Sequence, residues 1–446
     1  MTLFTLRFNP LDSVPLVKRI LQSVGPAIIV AAVVLGPGSI LTSSKVGATF
    51  GLAGVPVIAI AAILMIGMVA LAARLGAVYE GSPCDELASR LGRPIAVIIG
   101  AILFGLVALF QSSNNLAVIA GIEPLFKIES TGLKVGVLVV TNLFVIGCLY
   151  AFRDLYGSVE KLMKLLIGMM VVAFLVNFGV AWISPRGYVA APPTGKPDLI
   201  PLLGMIGTTF SVGGAFYQAY LVKEKGWGIG DVRKGVIDST VSISVLGLVT
   251  AIILLTSMRV FYGRPDTIAL NSVGDIALQL EPLFGPWAKV VFCIGIFAGA
   301  FSSFLVNAMI GGTVMSDSLK LGSRLDQRGP LHLTTVALLV GMSVAIASVV
   351  WGNESTVTLI TIAQALTVLG LPALAAALIY LGTRKELTGD RKVPRWILTL
   401  SILGFFAACY VSSRLATAVY QKLNPPAEET AAVAEAVNRS IHRISI

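Results

Sequence analysis

The chain has 446 residues, 56% of them hydrophobic and only 13% charged, with a mean hydropathy of +0.88. Soluble globular proteins average about 45–50% apolar and about 25% charged. The composition therefore excludes a string of soluble domains, a disordered chain and a disulfide scaffold, and leaves one membrane-embedded body. The net charge of +10 is no nucleic-acid footprint, because membrane proteins gather Lys and Arg in their cytoplasmic loops.

A bilayer core needs about 20 apolar residues per helix. That window predicts about eleven spans, at 24–47, 53–75, 94–121, 133–152, 160–183, 198–222, 236–257, 286–318, 332–351, 356–381 and 394–420. Runs this long in lipid are helical, so the fold class is all-α and integral to the membrane. Residues 1–23 carry Lys18 and Arg19 and no cleavage pattern, so the first span is expected to stay in the mature protein. A cytoplasmic N-terminus puts about 21 basic residues inside, Arg74, Arg90, Lys223 and Arg384 among them, against about 7 outside. An odd span count then leaves the polar 424–446 tail outside. The expected location is the plasma membrane, and the expected state a monomer.

The first span is interrupted at Gly36-Pro37-Gly38-Ser39, about ten residues after Gly25-Pro26. Proline removes a donor and clashes with the preceding turn, and glycine weakens the helix further. The sixth span has its own weak point at Ser211-Val212-Gly213-Gly214, also about ten residues in. Single Gly/Pro breaks are common kinks or packing notches in membrane helices. Two in register, at the heads of two five-helix halves (24–183 and 198–381, with 394–420 as an eleventh helix), indicate an inverted-repeat transporter that binds its cargo at the unwound midplane. No nucleotide loop, nucleophile–base set or metal-hydrolase spacing is present, so no enzymatic activity is expected.

These residues resemble the Nramp family of divalent metal transporters. The likeness runs from Gly25-Pro26 through Gly36-Pro37-Gly38-Ser39 to Phe50-Gly51. It continues with Leu71-Ala72-Ala73-Arg74-Leu75-Gly76, with Leu280-Glu281-Pro282-Leu283-Phe284-Gly285-Pro286, with Ser302-Ser303 and with Gln364 before Leu371-Pro372. The resemblance implies a leucine-transporter-like fold of two inverted five-helix repeats plus a further helix. It also exposes departures. Gly36 and Ser39 stand where the family has metal-binding Asp and Asn. Ser211, Val212 and Gly213 stand for its Met-Pro-His, and Gln218 for a second His. Ala108, Asn115 and Val118 replace its proton-carrying acids.

The same deficit is visible without the family. No Asp or Glu lies between Asp12 and Glu80, Glu86 and Glu123, Asp198 and Glu224, Glu281 and Asp317, or Glu354 and Glu386. A bare divalent ion at the midplane needs compensating charge or retained water, and no soft ligand is on offer. No metal site is therefore expected, and a small polar organic solute, neutral or anionic, is the expected cargo. Its predicted contacts are Gly36, Ser39, Thr208, Ser211, Gly213, Asn115 and Gln364, with a pocket wider than a metal cage. Lys45, the only charge inside the first span, reads as an electrostatic lure or gate, or as a side chain that snorkels to the outer interface. Ser302 and Ser303 read as a sodium site for a coupling ion, or as small polar packing residues. No other cofactor and no nucleic-acid partner is expected. The alternative cargo is Mg²⁺ or Mn²⁺, carried partly hydrated by neutral oxygens.

Overall fold

The computed structural model describes residues 25–151, 198–264, 270–324, 326–352 and 354–423, together with 165, 171–172, 174–183, 185 and 188–191. The expectations for residues 1–23, for most of the fifth span and for the 424–446 tail lie outside the described residues. Among those described, every regular element is helical. Among the described residues eight stretches are long and apolar enough to cross a membrane; one of them, Pro37–Val78, joins two of the predicted spans.

Both predicted interruptions are present. The first span consists of α1 (Ala27–Val34) and α2 (Pro37–Phe50), and α3 (Gly54–Val78) follows. A short amphipathic helix α4 (Pro83–Leu91), which the span window does not detect, leads into α5 (Arg93–Phe126) and α6 (Thr131–Ala151). The Ser82 side chain caps α4 by accepting from Asp85 N; Asp85 and Glu86 lie in its first turn and Arg90 in its last, complementing the helix dipole. A fragment of the fifth span, α7, covers Phe174–Ile183. The sixth is divided into α8 (Ile200–Thr209) and α9 (Val212–Glu224), and α10 (Val232–Phe261) is the seventh. Then come α11 (Val273–Ala277), α12 (Ala288–Ser318) and α13 (Arg328–Trp351). The tenth span holds an interruption that Leu371-Pro372 only hints at: α14 (Thr356–Leu366) passes through a 3-10 turn, Thr367–Gly370, into α15 (Leu371–Gly382). Helix α16 (Arg395–Leu423) is last.

The broken helices are central. All eight residues of α1 are buried, and α9 is buried from Val212 to Val222. A helix apolar all round belongs inside the bundle. By contrast α6 and α13 bury only a few residues and present Leu143, Phe144 and Trp351 outward, as lipid-facing helices do. Helix α1 packs on α9, α10 and α12, and α2 packs on α8 and α10.

The start of α1 is fixed by a distant carboxylate. Pro26 has no N–H, and the N–H groups on either side of it both donate to Asp238 of α10, Gly25 N at 2.6 Å and Ala27 N at 2.8 Å. Orphan donors of a helix N-terminus are thereby satisfied by a buried anion at its positive end.

Candidate substrate site at the two helix breaks

At the first break Leu35 turns (φ −74°, ψ 21°) and Gly36 is extended (φ −64°, ψ 177°), with Pro37 opening α2. Pro37 cannot return a hydrogen bond to Val33, whose carbonyl instead accepts from Gly36 N at 3.3 Å. At the second break Phe210 and Ser211 leave helical geometry with ψ of 60° and 83°. Val212 N reaches only as far back as Phe210 O, at 3.1 Å. Each break thus presents one helix C-terminus, rich in carbonyls and negative by its dipole, and one positive N-terminus. The positive ends alone favour an anion; the C-terminal ends of α1 and α8 favour a cation equally well.

Neighbouring side chains fill the space at the first break. A Cβ on Gly36 would lie 2.8 Å from Ser303 Oγ, and one on Gly38 would overlap the Gln364 amide. Ser303 of α12 and the Gln364 amide of α14 therefore lie directly on the α1–α2 break, where glycine alone permits such approach. Gln364 Nε2 donates to Ser113 Oγ of α5 at 2.7 Å.

The central cavity measures about 20 Å³ and is lined by Val33, Leu103, Ser211, Gly213, Asn307 and Thr367, with other apolar groups. About 10–15 Å³ suffices for one water. The roomy pocket expected from the sequence is therefore corrected: Ser303 and Gln364 crowd the first break and leave little open space there.

The predicted contacts divide into two groups. Ser211 and Gly213 line the cavity, and Gly36 and Gln364 border the break. Buried Ser39 also borders it, with an Oγ that has no partner. Thr208 turns its hydroxyl back onto Met205 O at 3.0 Å. Asn115 belongs to a neutral network: it donates to Gln111 O at 2.8 Å and accepts from Asn142 Nδ2 at 2.6 Å. Neither lines the cavity. Lys45 is partly exposed, and Asp198 and Glu354 are the carboxylates that act on it. The Ser302 side chain is outside the described residues. Asn307 and Thr367 line the cavity without having been singled out; Asn307 follows Ser303 by one helical turn, which is the signal that could have found it.

The decisive electrostatic feature is a set of neutral oxygens. Ser39 Oγ, Thr209 Oγ1, Ser303 Oγ and Gln364 Oε1 are all buried without a hydrogen-bond partner. They come from α2, α8, α12 and α14, the segments that meet at the breaks. Buried polar atoms are normally satisfied, so these orphans, carried by segments that pack at the breaks, are candidates to receive a polar guest or its water shell. Among the described residues there is no group of three or more His, Cys, Asp or Glu that could hold a metal ion.

The sequence profile described as natural resistance-associated macrophage protein-like matches residues 27–417. The chain belongs to the Nramp family. It is 25% identical over 418 residues to a protein of Verminephrobacter eiseniae named divalent metal cation transporter MntH, covering 91% of this chain and 90% of that one. A protein of the same name from Brucella suis is 25% identical, each chain 86% covered. Among solved structures, an Eremococcus coleocola manganese transporter superposes with a TM-score of 0.74 at 18% identity, over 95% of this chain and 92% of that one. This Nramp chain therefore has the leucine-transporter-like fold of two inverted five-helix repeats and an additional helix. The relatives overturn the expectation of an organic cargo: they are named for divalent metal ions.

Proposed function

We propose that this Nramp protein moves a divalent metal cation across the membrane and holds it at the α1–α2 and α8–α9 breaks as a partly hydrated ion. The observation that carries this reading is the set of unpartnered oxygens at the two breaks: Ser39 Oγ on α2, Thr209 Oγ1 at the end of α8, and Ser303 Oγ and Gln364 Oε1 of the side chains that crowd Gly36 and Gly38. The names of the relatives supply the cargo class.

The chemistry selects a hard ion. Mg²⁺ dehydrates reluctantly and is often bound through its own waters. Hydroxyl, amide and main-chain oxygens can accept hydrogen bonds from such a shell without anionic charge, and carbonyls at the α1 and α8 C-termini add negative potential. Neither thioether nor imidazole is offered by the cavity lining, so thiophilic ions gain nothing here. Retained water also lowers the large cost of taking a doubly charged ion into low dielectric. Alternating access by rocking of one helix bundle against the other delivers the ion, with the basic end and the N-terminus in the cytoplasm.

Ser303 supports one further reading. Its unpartnered hydroxyl beside Gly36 also suits Na⁺ as a coupling ion.

The test is flux into proteoliposomes holding a divalent-sensitive dye, with Mg²⁺ and Mn²⁺ supplied separately. Entry of Mg²⁺ or Mn²⁺ above protein-free vesicles is expected, as is a rise in unfolding temperature with the transported ion. Absence of flux for both ions, in protein that is folded and correctly inserted, refutes the reading.

A further inference from the structure

At the basic end, α3, the first turn of α10 and the segment entering α16 enclose a groove of about 440 Å³. Arg74, Arg233, Asp390 and Trp396 line it, with Val236 and Ile397 as part of its apolar wall. Arg74 donates to the main-chain carbonyl of Asp390, not to its carboxylate, and Arg74 Nε is buried without a partner. Asp231, the acid nearest Arg233 in sequence, is already taken by Lys234 at 2.7 Å and by Gly228 N at 3.3 Å. Among the described residues neither Arg74 nor Arg233 forms an ion pair.

Two guanidinium groups thus face one groove against a single carboxylate, and Arg391, Lys392 and Arg395 stand exposed on the same segment. Like charges sharing a site repel until an anion sits between them. Guanidinium forks match phosphate oxygens in particular. The remaining lining determines what carries that phosphate. Trp396, in the first turn of α16, is 47% exposed, as an indole at the headgroup level is. Val236, Ile397 and the indole give a surface on which a soluble anion has nothing to bury, but along which a glycerol backbone and upper acyl chain lie naturally.

We propose that this groove binds the headgroup phosphate of an anionic phospholipid, with Arg74 and Arg233 on the phosphate and Trp396 against the glycerol. Basic pockets between helices at the cytoplasmic face are a recognised form of lipid site. The bound lipid bridges α3, α10 and α16. The inference depends on the membrane orientation and is independent of the cargo, so either can fail alone.

The test uses the whole protein in nanodiscs of phosphatidylcholine, with and without phosphatidylglycerol, and reads unfolding temperature and lipid retained on detergent extraction. Phosphatidylglycerol is expected to stabilise the wild type and to be retained. The exposed Arg233→Gln change is expected to weaken retention about fivefold, the share of one basic residue near an anionic surface. Arg74→Gln also loses the Asp390 bond and can perturb folding, so Arg233→Gln alone decides. Equal stabilisation of wild type and Arg233→Gln overturns the proposal. So does inorganic phosphate reproducing the effect in pure phosphatidylcholine, which makes the site one for a small anion.

Discussion

Tyr220 of α9 donates its hydroxyl to the Asp317 carboxylate of α12 at 2.6 Å, and both side chains are buried. The same carboxylate accepts from Ser82 Oγ at 2.7 Å and from Cys84 N at 3.2 Å at the head of α4. One buried carboxylate thus fastens a half-helix of the candidate site to a long scaffold helix and to the α3–α5 connection. A carboxylate with three donors, one from α9 and two from the head of α4, is stable where it is and costly to strip of any one.

Tyr220→Phe removes one charge-assisted bond and leaves the ring, so about 1.5–3 kcal/mol of attachment between α9 and α12 is expected to be lost. The measurement is a double electron–electron resonance distance between labels on the basic ends of those two helices. A broader, longer distribution in the variant is the expected outcome. An unchanged distribution together with an unchanged unfolding temperature shows that the bond does not hold the two helices together.

Asp238 plays the corresponding part for α1. Asn in its place keeps the shape, offers one acceptor oxygen instead of two and removes the charge facing the helix N-terminus, so about 1–2 kcal/mol is expected to be lost. Ala27→Cys placed in the Asp238→Asn background is expected to react with a soluble maleimide faster than in the parent background. Equal rates contradict the role assigned to this carboxylate.

Much of this arrangement was legible in the sequence. Gly36-Pro37-Gly38 announces its break because proline and glycine act through the local backbone, and the gap in acids between Asp12 and Glu80 is a plain count. What stayed hidden depends on residues far apart in the chain. Nothing near Gly36 says that Ser303 would fill its space, or that Gln364 would lie on Gly38. Asp238 and Asp317 fall at the ends of predicted spans, where acids read as interfacial, yet both are buried because each has donors from another element. The turn at Thr367–Gly370 was missed because a 3-10 turn keeps the apolar pattern of the helix it interrupts.

A pH dependence is expected at the basic end. Arg90 hydrogen-bonds Glu386 and holds its carboxyl below the ordinary glutamate range, and Arg90 also pairs with Glu86 and lies 5.0 Å from the Tyr79 ring centre. A lowered folded value contributes stability above the unfolded pKa and loses it as pH falls through the folded one. Unfolding temperature should therefore decline more steeply below about pH 4.5 in the wild type than in Glu386→Gln. Because the group is exposed, the difference should be small and should shrink further with added salt. Identical acid limbs at low salt count against the network.

The contact between Gly36 and Ser303 offers the sharpest test of the site. A methyl group at position 36 would sit 2.8 Å from Ser303 Oγ, and overpacking of this kind costs about 1–3 kcal/mol. Gly36→Ala is therefore expected to lower both the unfolding temperature and divalent flux. Ser303→Ala removes the offending atom, so the double variant should recover stability that the Gly36→Ala variant lacks, a coupling that independent sites do not show. Flux separates packing from coordination: if Ser303 Oγ accepts from the hydrated ion, the double variant regains stability without regaining transport. Should Ser303→Ala transport Mg²⁺ and Mn²⁺ at the wild-type rate, the hydroxyl is not a cargo contact. If sodium dependence, present in the wild type, is what that variant loses instead, the residue belongs to a coupling-ion site.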